Sequence, residues 1–238
     1  MNIKKYAIQA LIYLSVVSVS LGVTYLGSEA VTVISQEIPV ERSHTIIVDA
    51  GHGGEDGGAV SCTGAKESDI NLSIAMKLND LLHLLGHRTR MIRTTDISVY
   101  TAGTTLAQKK VSDLRERVRI VSETEDPILI SIHQNTFSDA RYSGAQIFHN
   151  GAGESMALAN ALQDGFSSTL NPGSKRAVKK AEGVYLMENI HCTAILAECG
   201  FLSNPTEEAK LRKADHQQKI AAVIACTLGN FLDGQTND

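Results

Sequence analysis

The sequence predicts an α/β fold: a single domain with a twisted, mostly parallel sheet of about six strands flanked by helices, preceded by an N-terminal hydrophobic helix. Three observations carry this. Short β-branched or apolar runs alternate with longer stretches whose apolar residues recur at the 3.6-residue period of a helix. The run Ile128–Ile132 has no polar residue before Ser131, as suits a central strand covered on both faces. No repeat of 20–50 residues is visible, which excludes solenoids and propellers. Strands alternating with helices of this length build a parallel sheet with helices on both sides.

The elements follow in chain order. Lys4 and Lys5 precede an uncharged apolar run from Ala7 to Leu26, close to the roughly 20 residues that cross a bilayer. Lysines before the run and Glu29 after it favour an N-in orientation with everything downstream exported. Residues 1–26 therefore read as a signal-anchor or a signal peptide cut after Ala30; the length favours the anchor. Residues 27–43, polar and mixed with Pro39, read as a tether, and residues 44–238 as the folded domain.

Thr45–Val48 is a β-branched run that ends in glycine-rich sequence, hence a strand and a turn. From Asp69 to Leu85 the apolar positions Ile70, Ile74, Ala75, Leu78, Leu81 and Leu82 make one helical stripe, and Gly86 ends it. Arg88–Arg93 reads as a second strand. Leu106–Glu123 reads as a helix with Leu114, Val118 and Val121 on one face and many exposed charges, ended by Asp126-Pro127. Ile128–Ile132 and Ala145–Phe148 are the next strands, Glu154–Leu170 a helix, and Asn171-Pro172-Gly173 a turn. Gly183–Met187 and Ala194–Ala197 are read as two more short strands. Thr206–Leu232 closes the domain as helix, broken near Ala214.

Composition removes several function classes. Lys plus Arg is 22 against 26 Asp plus Glu, so no global basic footprint for nucleic acid exists. With no tryptophan and 5% aromatic residues, a platform that stacks bases or sugars is excluded. Cys62, Cys192, Cys199 and Cys226 contain no CxxC pair and read as free or buried thiols.

The chemistry gathers at strand ends. Asp49-Ala50-Gly51-His52-Gly53-Gly54 follows the first strand, Ser131-Ile132-His133-Gln134-Asn135 ends the third, and Ala197-Glu198-Cys199-Gly200-Phe201 ends the last. Open α/β sheets form their sites beyond the carboxyl ends of strands. Two imidazoles and a carboxylate are a typical ligand set for catalytic zinc. The bland readings are a simple turn at His52 and a core histidine at His133. Glu198 is harder to dismiss, because a carboxylate at the end of a buried strand is costly unless paired or metal-bound. The glycine-rich turn lacks the spacing of a nucleotide loop. Residue types alone leave a metal site of unassigned chemistry. The other histidines have no comparable context.

Taken in order, Ile47-Val48-Asp49-Ala50-Gly51-His52-Gly53-Gly54, Ser131-Ile132-His133-Gln134-Asn135 and Glu198-Cys199-Gly200-Phe201-Leu202-Ser203-Asn204-Pro205 strongly resemble the zinc-dependent N-acetylmuramoyl-L-alanine amidases of the Amidase_3 family. The resemblance runs from about Thr45 to about Leu232. It implies a Zn2+ cofactor held by His52, Glu67 and His133, with Glu198 as the catalytic glutamate. Glu67, in Lys66-Glu67-Ser68-Asp69-Ile70-Asn71-Leu72, otherwise reads as a helix N-terminal acid favoured by the dipole. The implied substrate is peptidoglycan, cut between the lactyl group of N-acetylmuramic acid and L-alanine, with Gln134 and Asn135 as hydrogen-bonding neighbours of the substrate. Two departures stand out: Ala50 replaces a common proline, and Glu188 sits where the family often has arginine.

The short layout is similar to that of the germination-specific sporulation amidases within the family. That similarity implies action on spore cortex as a step toward muramic-δ-lactam, at an extracytoplasmic location at the forespore or cortex, membrane-anchored or secreted. The rivals are a vegetative autolysin or cell-separation amidase, and a non-catalytic peptidoglycan-binding homologue. A zinc peptidase would need HExxH or a similar helix motif, which is missing. An accessory or activating extracytoplasmic protein remains open as a partner, its identity unknown; nucleic acid does not.

Overall fold

The computed structural model describes residues 44–235, so the expected anchor (1–26) and tether (27–43) lie outside the described residues. The sheet has six strands in the order β2-β1-β3-β6-β4-β5. They are β1 (Thr45–Ala50), β2 (Arg88–Met91), β3 (Pro127–Asn135), β4 (Gln146–His149), β5 (Lys179–Lys180) and β6 (Thr193–Phe201). All neighbours run parallel except β4 against β6. The helices are α1 (Glu67–Leu84), α2 (Leu106–Ser122), α3 (Ser155–Thr169), α4 (Tyr185–Glu188), α5 (Pro205–Leu211) and α6 (Ala214–Gln235). Among the described residues no helix is long and apolar enough to cross a membrane.

Successive side chains of a strand point to opposite faces, and both faces here are covered. Ile46, Val48, Ile128, Ile130, Ile195 and Ala197 pack on one face with Ile74, Leu78 and Leu82 of α1, Leu162 and Phe166 of α3, and Ile224 and Leu228 of α6. Ile47, Leu129, Ala194 and Leu196 pack on the other with Ile120 and Val121 of α2 and Leu186 and Met187 of α4. Each fully buried side chain of this kind contributes about 1.5–3 kcal/mol. Burial on both faces explains the unbroken apolar runs of the central strands.

Three departures from expectation matter. Helix α1 starts at Glu67, two residues before the expected Asp69, and its N-cap Lys66 makes no side-chain cap bond. Loop carbonyls accept its first amides instead: Glu67 N donates to Ala59 O at 2.8 Å and Ser68 N to Gly57 O at 3.1 Å. Strands β3 and β6 extend through Asn135 and Phe201, so His133 and Glu198 lie within the ladder. The expected strand Gly183–Met187 is instead the short helix α4, and the edge strand is Lys179–Lys180. A short apolar run does not distinguish strand from helix; burying Leu186 and Met187 against the second face satisfies this one as a helical turn. The closing helix is broken at Arg212–Lys213, between α5 and α6, next to the expected Ala214.

Candidate active site

The chain leaves β1 through Gly51 into His52, which adopts the left-handed conformation at φ 60°. Non-glycine residues pay for that conformation, and the backbone carbonyls here are buried and must find donors. Two buried arginines supply them. Arg93 donates from Nε to Ala50 O at 2.9 Å and from Nη2 to Gly51 O at 3.0 Å and Ser68 O at 2.9 Å. Arg117 donates to Ala50 O at 3.1 Å and His52 O at 2.8 Å. Its charge is matched by Asp49, to which it is directly bonded, and by Asp113 at 2.7 Å. Burial opposes ionisation of Asp49, but the Arg117 charge and the Ser131 hydroxyl outweigh it and hold the carboxyl below its ordinary range. Arg117, on a helix that otherwise carries many exposed charges, is 2% exposed. Its spacing of three from Leu114 and four from Val121 places it on the apolar stripe, and that signal was available.

The loop then returns to present Glu67, which is 4% exposed. Glu67 Oε2 lies 3.2 Å from His52 Nε2, and Oε1 lies 2.9 Å from His133 Nδ1. One ligand atom from each of His52, Glu67 and His133 falls within 4.8 Å of the others. The two rings stand edge to face, centroids 5.0 Å apart. Ala59 N at 2.9 Å, Asn71 Nδ2 at 3.2 Å and Gln134 N at 3.2 Å donate to the Glu67 carboxylate and fix it. Asp56 Oδ2 lies 2.9 Å from His52 Nδ1, and Lys110 lies 3.0 Å from the other Asp56 oxygen. Such a carboxylate behind a ligating histidine sets its tautomer and orientation.

Glycine is required where this cluster closes. A Cβ on Gly51 would stand 2.3 Å from the His133 ring. One on Gly58, at φ +67°, would stand 2.5 Å from Glu67 Oε2 and 2.7 Å from His52 Cδ2.

The electrostatics favour a positive charge at the centre. Burial lowers the His52 pKa, yet hydrogen bonds to Asp56 and Glu67 overcome it and raise the value to about 9. Burial likewise opposes ionisation of Glu67, and His133 and His52 reverse that, holding it well below the carboxylate range. Two imidazoles and one carboxylate converging on a common point fit the donor set of a catalytic zinc site.

Glu198 pairs with His133 in the β3–β6 register, and both side chains lie on the same face of the sheet. Its Oε2 is buried and, among the described residues, has no hydrogen-bond partner. Burial pushes its pKa up to about 7 against the pull of the imidazoles. The structure thus brings His52, Glu67, His133 and Glu198 together. Gln134, next to His133 in a strand, points to the opposite face, is 3% exposed, and donates to Asn71 Oδ1 at 3.2 Å. Through Asn71 and through its own backbone amide it braces Glu67. Asn135 stays half-buried at the rim. Glu188 closes its own turn by accepting from Gly183 N at 2.6 Å. All four cysteines are free thiols, with Cys199 buried.

A cavity of about 150 Å3 opens beside the cluster, lined by His52, Asp56, Lys110, His133, Val184 and Leu186 among others. A larger groove of about 770 Å3 along Thr101–Gly103 and α2 shares no residue with it.

Comparison with known proteins identifies the family. A germination-specific N-acetylmuramoyl-L-alanine amidase of Bacillus subtilis (strain 168) is 38% identical over 183 residues, 75% of this chain and 76% of that protein. The CwlD amidase of Clostridioides difficile, solved in complex with the GerS lipoprotein, superimposes with a TM-score of 0.76 at 35% identity, covering 79% of this chain and 98% of that one. An N-acetylmuramoyl-L-alanine amidase from Clostridium difficile 630 gives a TM-score of 0.69 at 28% identity, over 81% of this chain and 98% of that one. Residues 46–230 match the Amidase_3 family, N-acetylmuramoyl-L-alanine amidase, and the chain therefore belongs to that family of peptidoglycan amidases.

Proposed function

We propose that this protein is a zinc-dependent amidase of spore-cortex peptidoglycan. It would hydrolyse the bond between the lactyl group of N-acetylmuramic acid and L-alanine, a step toward muramic-δ-lactam and germination. The observation that carries the chemistry is the convergence of His52, Glu67 and His133 within 4.8 Å beside a buried, unpartnered carboxylate oxygen of Glu198. The spore role is supported by the 38% identity to a germination-specific amidase.

His52, Glu67 and His133 would hold the ion, with Asp56 and Asn71 orienting the first two. Zinc, when bound, supplies Lewis acidity toward water and the scissile carbonyl. Glu198 takes the proton of the attacking water and returns it to the departing amine. Such a group works best with a pKa near the working pH, and burial moves Glu198 in that direction.

In this reading residues 1–26 anchor or export the chain, residues 27–43 tether it, and residues 44–238 work outside the cytoplasmic membrane. The lipoprotein bound to the structural relative makes an exported accessory protein a reasonable partner to seek.

The test is the muropeptide profile of spores made without this protein, together with cleavage of sacculi by the purified full-length chain. New N-terminal L-alanine is expected from the sacculi, and muramic-δ-lactam should be missing from the spores. Normal lactam alongside amidase activity would move the protein to the vegetative class. Absence of new amino termini would leave a non-catalytic wall-binding homologue.

A further inference from the structure

The row of side chains that begins with His133 and Glu198 continues across the sheet. Gln146 on β4 is the register partner of Glu198. It lies on the same face, since Phe148, two residues on, packs into the second core cluster with Leu196. Gln146 is 3% exposed and held in place: its Nε2 donates to Ala177 O at 2.6 Å. Its Oε1 accepts from Arg176 Nη1 at 3.3 Å. Arg176 thus ends the row His133, Glu198, Gln146.

This guanidinium is held but not neutralised. Nε donates to Ser143 O at 2.9 Å, and Cζ lies 4.8 Å above the Phe201 ring. Among the described residues no carboxylate forms an ion pair with it, whereas Arg117, Arg119, Arg141 and Arg212 all have one. The half-buried side chain keeps Nη2 free to donate. Around it the segment Lys175–Lys180 carries four cations and no acid, in a chain whose net charge is negative. An oriented arginine with open donors is suited to a carboxylate.

We propose that Arg176 binds a free carboxylate of the stem peptide, directing the peptide side of the scissile amide from Glu198 across β4. This deepens the amidase reading and rests on it. The spacing agrees. Neighbouring strands stand about 4.8 Å apart, so Gln146 is one such step from Glu198 and Arg176 lies just beyond. Two extended residues span roughly 7 Å. A carboxylate on the second stem residue therefore reaches the guanidinium when the scissile carbonyl sits beside Glu198. In peptidoglycan that residue is joined onward through its side chain, which leaves its α-carboxyl either free or amidated. Arg176 then discriminates between the two forms.

The experiment uses the full-length protein loaded with zinc and two muropeptides that differ only in that α-carboxyl, free or amidated. Charge-assisted hydrogen bonds support a preference of about 10–100-fold in kcat/KM for the free form. Arg176→Gln should abolish the preference, raising KM for the free form far more than for the amidated one. Arg176→Lys should restore part of it. Zinc content should be the same in all three proteins. A wild type without preference, or an Arg176→Gln variant equally impaired on both substrates, overturns the proposal. If the wild type cleaves neither substrate, the amidase reading itself has failed and the proposal falls with it.

Discussion

Glu198 and His133 face each other across the β3–β6 pair, yet only His133 touches Glu67, at 2.9 Å. The two residues are equal in register and different in surroundings. His133 belongs to a cluster that favours positive charge, while Glu198 keeps one buried oxygen without a partner. That difference is what supports the proposed division of roles, with His133 as a metal ligand and Glu198 as the proton carrier.

The separation can be measured. Glu198→Gln keeps the size of the side chain but removes its basicity. Zinc content by elemental analysis should stay at wild-type level while hydrolysis of purified muropeptides falls by about 10²–10⁴-fold, the usual contribution of an acid–base group. His52→Ala and His133→Ala should lose the metal, since each removes one of three protein ligands. Loss of zinc from Glu198→Gln, with activity surviving in a zinc-free His133→Ala protein, would reverse the roles.

Gly58 is where the loop touches both Glu67 and His52. Gly58→Ala introduces a Cβ 2.5 Å from Glu67 Oε2 at a φ of +67°, so the ligands must move even if the fold survives. Metal affinity should drop by about 10–100-fold, as when supports of metal ligands are lost, and the thermal midpoint should change modestly. Competition with a chelator reads the affinity. An unchanged zinc affinity would mean the loop yields at no cost to the site.

Asp49 and Arg117 form a buried pair under the loop, directly bonded and each at most 2% exposed. Breaking such a pair costs about 3–5 kcal/mol, because the surviving charge is stranded. Arg117→Met strands Asp49 and should lower the urea midpoint by a corresponding amount, whereas Asp49→Asn should lower it less, because Asp113 still faces Arg117. The native Asp49 pKa is depressed below its unfolded value of about 3.9. Its contribution is therefore complete above that value and is lost as pH falls toward the native pKa. Wild type should lose stability on acidification below about pH 4 more steeply than Asp49→Asn. Parallel acid profiles for the two proteins would show that Asp49 does not titrate as described.

Much of the fold was legible because burial on both faces of a sheet leaves a one-dimensional trace. His52 follows the apolar run of β1, and His133 and Glu198 follow the apolar runs inside β3 and β6. The stripe Ile70, Ile74, Leu78, Leu82 marked α1 equally well. Order along the chain was enough to reach the family. What the chain could not display one residue at a time was decided by packing. Gly183–Met187 has the composition of a strand, but packing Leu186 and Met187 against the second face of the sheet makes it a helical turn. Glu67 carries no local sign of its position, because the carbonyls of Gly57 and Ala59 start the helix early and the glycines admit its carboxylate between two imidazoles. Gln134 points away from the site through strand alternation alone, and Arg117 turns inward to satisfy carbonyls 65 to 67 residues away. Periodicity and turn chemistry act between near neighbours and are written in the sequence. The meeting of side chains from separate loops depends on how the strands register and how the loop between β1 and α1 closes, and only the folded chain determines that.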